Sequence, residues 1–312
     1  MKNLLVLQNI QVENANAVFG ITSGFPGISH FLGFSHALSR KLNAKYKLTL
    51  GDCAVVCHEH EIKNIFYKKF RDPVFTLTRN PLLQNGAIAS FNEEGKMHLN
   101  ISLIIECHFS KNKLPFKADC EEDKIKNFED YILSEILKQK LAGGNIIKIN
   151  KVSYYEMPEK EEDIERYSKK ILYSLLPGFF LINRSSYLKE YHAKKREENP
   201  QQEILDSWLD FYTLQFAATQ HTKDNNEETT VSWDFIKKPY SGYLVPLAVG
   251  YQPLTKVINN DSVNFIRDSI SNFCIVEPAY SIGEWKSPHK IKNLSDVFWS
   301  YHFDNNFYSF FK

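Results

Sequence analysis

The densest group of ligand-type side chains is the run CHEH at residues 57–60. In a strand His58 and His60 share one face, and a His-x-His pair can supply two metal ligands. Two ligands do not complete a site, and no third stands at a diagnostic spacing. The pair therefore reads as a sheet feature, structural or turned toward a bound polymer. Gly20, Gly24 and Gly27 precede an apolar stripe at helical spacing, a place where a loop can cradle phosphate. Their spacing fits neither a Walker loop nor a dinucleotide fingerprint, and no Gly-Lys-Ser/Thr follows. The readings left are a turn packed on the sheet or a backbone contact to a phosphate chain. His30, His36 and Lys41 have the residue types of a metal-free ribonuclease group, with His as base and Lys as charge stabiliser. A helix with incidental His is the simpler reading. Ser, Cys and His elsewhere show no nucleophile-elbow or other catalytic spacing, and no motif calls for a metal or cofactor.

A different chemistry is written into residues 62–98. Lys68, Lys69, Arg71, Arg79 and Lys96 are interleaved with Phe66, Tyr67, Phe70 and Phe75. Cations can pair phosphates while rings stack bases. Two other segments share a related mixture. One is ENANAVFGITSGFPG at residues 13–27; the other is GYLVPLAVGY at 242–251 followed by YSIGEWKSPHK at 280–290. Glycine, proline, amide, aromatic and basic residues together suit close backbone approach, stacking and hydrogen bonding to a flexible polar ligand. Single-stranded nucleic acid is such a ligand. Val245, Leu247 and Val249 read as core. Trp285, Lys286, His289 and Lys290 are candidates for RNA or partner contact.

The bulk numbers limit how such binding can work. The net charge is only +1, so nucleic-acid binding needs a local patch or neighbouring chains. A 43% hydrophobic, 24% charged chain of 312 residues is of soluble globular type and fits one large domain or two ordinary ones. The five cysteines are Cys53, Cys57, Cys107, Cys120 and Cys274. Their number is odd and no framework spacing appears, which points to free thiols in a reducing compartment. The N-terminal apolar run is too short and too polar for a signal peptide, and no stretch reaches membrane-spanning length. A cytoplasmic protein is expected.

The elements that must position these residues follow from periodicity. Leu4 to Val12 reads as a strand. Ile28, Phe31, Leu32, Ser35, Leu38 and Leu42 form a helical stripe, with Arg40, Lys41 and Lys45 at its basic end. Leu48 to His60 is a second strand. Residues 100–109 are the clearest strand: Ile101, Leu103, Ile105, Cys107 and Phe109 alternate with mostly polar neighbours, the pattern of one buried face. A helix from about Phe128 to Leu141 buries Phe128, Ile132 and Ile136 and is capped by Gly143 and Gly144. Asn145 to Val152 is a last strand. The order strand-helix-strand-strand-helix-strand predicts an α+β, ferredoxin-like, RNA-recognition-like palm over residues 1–157. Turn signals in residues 62–98 mark an inserted lobe. Residues 158–312 form a mixed α/β C-terminal half that packs on the palm. Helical patterns run to about Gln220, broken at Leu176-Pro177-Gly178; a polar loop spans 223–228, and strands return from Val231 to Ile282. The aromatic tail at 298–311 should dock on its own core or on a partner.

The motifs QVENAN (11–16), SGFP (23–26), FSHAL (34–38) with Arg40 and Lys41, VCH (56–58), TRNPL (78–82) and FNEEGKMH (91–98) occur in order, and the two C-terminal segments complete them. Together they resemble the second subunit of the Csy complex, the Cas-five-type family of type I-F CRISPR surveillance (Cascade) complexes, which act in antiviral defence. The resemblance implies an RNA-recognition-like palm with a thumb at the 62–98 insertion. It implies a subunit that binds the 5′ handle of the guide CRISPR RNA and forms the tail heterodimer with the large subunit. The thumb folds over the guide beside the adjacent backbone subunit, and target DNA is met through the assembled complex by base pairing. Carried onto matching positions, it adds Asn14, Asn16, Ser23, Phe25, Arg40, Lys41, Asn80 and His98 to the RNA-binding candidates. In this system another subunit cuts the precursor, so a non-catalytic role is implied. The alternative is a Cas-five-type metal-independent endoribonuclease that processes precursor CRISPR RNA through His36 and Lys41.

Overall fold

The computed structural model describes residues 3–66, 72–78, 81–109, 122–222, 229–263, 271–304 and 307–311. The chain opens with β1 (Asn3–Asn16), the short hairpin β2 (Val18–Phe19) and β3 (Thr22–Ser23), α1 (Ile28–Tyr46) and β4 (Leu48–Ile62). The insertion contributes β5 (Asn64–Ile65), β6 (Val74–Phe75), β7 (Leu77–Thr78) and β8 (Asn92–Glu93). Then come β9 (Lys96–Phe109), α2 (Glu122–Leu137), β10 (Lys140–Leu141) and β11 (Gly144–Tyr155). The fold is α+β, built on a large antiparallel sheet. Its long strands lie in the order β11-β1-β9-β4, each antiparallel to its neighbour.

Local chemistry accounts for the first helix. Ile28, Phe31, Leu32, Leu38 and Leu42 recur at three- and four-residue spacing and are all buried. Gly27 enters the helix in an extended conformation. Lys47, with φ 55°, closes it in the left-handed region and donates its N–H to the Asn43 carbonyl. The helix packs on β4, and α2 packs on β11. Tyr46, Phe109, Phe128 and Tyr154 form an edge-to-face ring cluster that ties both helices to one face of the sheet.

The opposite face is also buried, which overturns the expectation of a one-faced strand at 100–109. Ser102, Ile104 and Glu106 of β9 are buried along with their odd-numbered neighbours. The cover comes from the C-terminal half. It brings α3 (Glu161–Ser174) and β12 (Phe179–Asn183), and Met157, Ile171, Leu172, Leu175, Leu294, Val297 and Phe298 pack on Leu4, Val6, Ala54, Val56 and Ile104. A central strand sandwiched between two layers loses the polar face that alternation predicts.

Two other expectations change. The helix after residue 122 ends at Leu137, not Leu141, and Gly143-Gly144 is not its cap. Leu141 pairs with Gly144, so Ala142 (φ 51°) and Gly143 (φ 79°) form a two-residue hairpin loop with both φ positive. The helical pattern to Gln220 breaks at 176–178 as expected, but a strand and not a second helix follows the break. Phe179–Asn183 is a strand whose first three residues pair with Cys57, Val56 and Val55 of β4. A short apolar run has no period to separate strand from helix.

The chain divides into two compact units: residues 1–182, 248–280 and 286–312, and residues 183–247 with 281–285. The second contains α4 (Ser185–Glu198), α5 (Ile204–Leu209), and the hairpin of β13 (Phe216–Thr222) and β14 (Thr229–Phe235). Tyr187 stacks on Tyr240 at 4.3 Å, Tyr191 donates to Asp210, the Trp208 indole donates to the Ser281 carbonyl, and Arg184 pairs with Glu284 at 2.6 Å. The strands β15 (Tyr243–Pro253) and β16 (Val276–Lys286) run through the unit boundaries. In the first unit β15 pairs with β18 (Phe307–Ser309), which pairs with β17 (His302–Asp304). Leu247 and Val249 are core as expected, whereas Val245 is half-buried. The tail docks on its own core: Trp299 and Phe310 are buried, and the Trp299 indole donates to the Leu181 carbonyl at 2.8 Å. No helix of the described residues is long and apolar enough to cross a membrane.

Candidate nucleic-acid interface

One end of the sheet gathers several of the predicted residues. Near its C-terminal end β1 loses register against β9 between Val12 and Ala15. Asn14 takes up the irregularity with φ 58°, a conformation that asparagine tolerates better than most residues. Its side-chain oxygen accepts from Lys63 Nζ at 2.6 Å. Two residues on, the Asn16 oxygen accepts from Lys96 Nζ at 3.0 Å, and Lys96 also pairs with Glu94 at 3.1 Å. The Asn16 N–H donates to the Ala142 carbonyl, which places the hairpin loop against it. A Cβ on Gly143 would lie 3.0 Å from Asn16 Nδ2, and one on Gly144 only 2.5 Å from the Glu13 carbonyl oxygen. The glycines permit this close approach of the loop to β1. Two amides and two ammonium groups are thus pinned beside a tight glycine turn, a set that can donate to phosphate and sugar oxygens. Lys63 is not among the candidates that the sequence offers. Its pairing with Asn14 requires the fold.

The insertion begins beside this end. Ala17 and Lys63 donate their N–H groups to Gly95 and Lys96, tying the lobe's two ends to the sheet. Within it β5 pairs with β6 and β7 with β8. Lys68, Lys69, Arg71, Arg79 and Asn80 lie outside the described residues.

The other candidates are spread around the molecule. Ser23 is exposed at the end of the β2–β3 hairpin, and half-buried Phe25 stacks on Phe31. That hairpin receives the C-terminal segments: the Tyr280 hydroxyl accepts from the Ile21 N–H at 2.9 Å, and Tyr251 meets Ser29 and Phe19. Gly20, at φ 59°, leaves room for the Tyr280 hydroxyl. The two glycine- and aromatic-rich segments therefore meet, but largely by packing on each other. Arg40 is exposed on α1, and Lys41 is paired with Glu135 at 3.3 Å. The Lys138 hydrogen bond, aided by Lys41, holds the Glu135 carboxyl below its ordinary range. His289 and Lys290 are exposed on a short turn where His289 lies over Tyr173. Lys286 is half-buried, and Trp285 is half-buried in the second unit.

The remaining chemistry is structural in form. The β4 register slips between Cys57 and Glu59, which breaks the strict alternation that would place His58 and His60 on one face. His58 Nδ1 lies 2.5 Å from the Pro177 carbonyl and so carries a proton; its Nε2 lies 2.6 Å from Ser102 Oγ, which also accepts the Asn9 N–H. No cluster of three metal-ligating side chains occurs among the described residues. His36 and Lys41 are five residues apart on α1, about 140° around the helix, and do not share a face. His30 is engaged with the Gly27 carbonyl, and burial lowers its pKa. A groove of about 510 Å³ at the uncovered end of the sheet is lined by Gln11, Glu13, Glu59, His60, Glu61 and His98, among others. Its carboxylates would repel a phosphate chain, so this groove is distinct from the Lys63 and Lys96 group beside it. His98 Nδ1 is buried there with no hydrogen-bond partner among the described residues.

These features accompany a likeness that runs through the chain. The sequence model of the family described as CRISPR-associated protein (Cas_Csy2) matches residues 5–310. The CRISPR-associated protein Csy2 of Pseudomonas aeruginosa (strain UCBPP-PA14) is 29% identical over 316 residues, covering 96% of this chain and 91% of that protein. The chain belongs to the Csy2 family of CRISPR-associated proteins, the type I-F subunit family that its ordered motifs resemble.

Proposed function

We propose that this chain is a non-catalytic, guide-RNA-binding subunit of a type I-F CRISPR surveillance complex. It holds the 5′ handle of the guide and forms the tail heterodimer with the large subunit. Residues 1–157 act as an RNA-recognition-like palm and residues 62–98 as a thumb over the guide, beside the adjacent backbone subunit. Residues 158–312 brace the palm. Target DNA is engaged by guide base pairing within the assembly.

The observation that carries this reading is the grouping of Asn14, Asn16, Lys63 and Lys96 around the Gly143 turn, at the root of the insertion. The strand order β11-β1-β9-β4, with a helix after the first and third strands in sequence, supports the palm assignment. Because the C-terminal half covers much of one sheet face and the helices cover the other, RNA is held at the sheet's end and not across its middle. The exposed Phe66, Leu77, Leu82 and Ile88 of the insertion suit a lobe that neighbouring subunits cover.

The test is assembly with the large subunit on a handle-bearing guide and on random RNA of equal length. Lys96→Ala, Asn16→Ala, Arg71→Ala and Arg79→Ala should each weaken assembly on the handle-bearing guide more than on random RNA. Equal losses on both RNAs would reject handle recognition, because phosphate contacts alone are blind to sequence.

A further inference from the structure

We infer that the β13–β14 hairpin of the second unit is a stacking platform for single-stranded nucleic acid, separate from the sheet-end group described above. Its register is unbroken: Phe216 faces Phe235, Ala218 faces Trp233 and Gln220 faces Val231. These six residues share one side of the ribbon, and the alternate pairs, Ala217–Asp234 and Thr219–Ser232, face the other way. One side is thus aromatic and apolar. The other is mostly polar, with Thr219 donating to Asp234.

The apolar side is exposed among the described residues. Trp233 is 68% exposed, Phe216 56% and Phe235 49%. A two-stranded ribbon is marginal by itself, and an edge-to-face contact between Phe216 and Phe235 at 5.9 Å stiffens this one. Residues two apart along a strand stand about 7 Å apart, so Trp233 and Phe235 present successive flat surfaces. Lys237 and Lys238 follow after Ile236, both exposed and in no ion pair among the described residues. Flat rings in sequence with cations at one end fit bases and phosphates. A protein-binding core would instead be depleted of lysine. Gln220, on the ring-bearing side, adds an amide that can meet base edges.

The probes are fluorescein-labelled 15-mers of uridine and of thymidine, which lack any handle sequence, titrated against the full chain by anisotropy. Trp233→Ala should weaken both about tenfold, and Trp233→Phe much less. Lys237→Gln with Lys238→Gln should lower the slope of log affinity against log salt by about 1.4. A 5-iodouracil oligomer should photo-crosslink to Trp233, located by peptide mass spectrometry. All these residues are exposed, so circular dichroism of the variants should match the parent. Parental affinity of Trp233→Ala for both oligomers, or crosslinks only outside residues 216–238, would overturn the proposal. So would a Trp233→Ala variant that binds oligomers normally but fails to join the large subunit, which would make the ribbon a protein interface. The sheet-end reading is separately testable, because the Asn16 and Lys96 variants leave this ribbon intact.

Discussion

Replacement of Gly144 by alanine tests the hairpin at the candidate interface most directly. A Cβ there would sit 2.5 Å from the Glu13 carbonyl oxygen and 2.7 Å from the Ala15 nitrogen, both main-chain atoms of β1. An ordinary C···O contact is about 3.4 Å, so strand or turn must move by roughly 1 Å. Overpacking of this kind costs about 1–3 kcal/mol, and rigid backbone neighbours put Gly144→Ala near 3 kcal/mol. At Gly143 the new Cβ would meet only the Asn16 side chain, at 3.0–3.3 Å, and the main cost is about 1 kcal/mol for alanine at φ 79°. Urea unfolding followed by far-UV circular dichroism should therefore rank the parent above Gly143→Ala and Gly143→Ala above Gly144→Ala, with unchanged m-values. Because the displaced segment carries Asn14 and Asn16, handle-RNA affinity should fall further with Gly144→Ala than with Gly143→Ala. Parental stability of Gly144→Ala, or the reverse order of the two variants, would refute the close approach. A glycine lying just beyond a left-handed helix cap would have tolerated alanine.

Other expectations follow from single contacts. Trp299→Ala should cost about 3–5 kcal/mol in the isolated chain, since the ring is buried and its N–H is bonded to Leu181; parental stability without any partner would mean that the tail does not rest on this core. Ser102→Ala should cost about 1–3 kcal/mol and speed hydrogen exchange at Asn9, because it strips a partner from both the Asn9 N–H and His58. Unchanged protection at Asn9 would contradict that bond. Burial, aided by Glu59, pushes the Cys57 thiol up to about 12. Its folded value lies above the unfolded one, near 8.5, so the contribution is whole below about pH 8.5 and is lost as pH rises toward 12. Unfolding free energy should fall across pH 9–11 and fall less steeply in Cys57→Ala; identical slopes would count against the burial. At pH 8 a thiol reagent should label Cys53, Cys57 and Cys107 only after denaturant is added.

Much of the first unit was readable along the chain. The α1 stripe and the alternation in β9 are strong local periods, and both elements stand where those periods put them. Cover on the second face of β9 was not readable, because it comes from residues far from Ile104 in sequence, Met157 to Phe298. The glycine pair showed that a turn was needed but not whether a helix or a hairpin used it; the pairing of Leu141 with Gly144 decides that. Phe179–Asn183 had no period at all. In the ribbon at 216–235 the second strand carries alternation at Val231, Trp233 and Phe235, but the first, FAATQHT, has none to separate it from the helical pattern before it.

The candidate interface divides in the same way. Residue types and motif order identified the family, the basic and aromatic insertion, and the amides Asn14 and Asn16, because these are properties of single positions and short spacings. Only the tertiary structure joined Lys63 to Asn14 and Lys96 to Asn16, turned the C-terminal tyrosines onto the β2–β3 hairpin, and closed both faces of the central sheet. The reason is physical. Backbone preference and side-chain period act over a few residues, whereas burial and pairing are set by segments that are neighbours only after the chain has folded. For the proposed RNA contact, composition allowed any surface, and packing takes the middle of the sheet away from it.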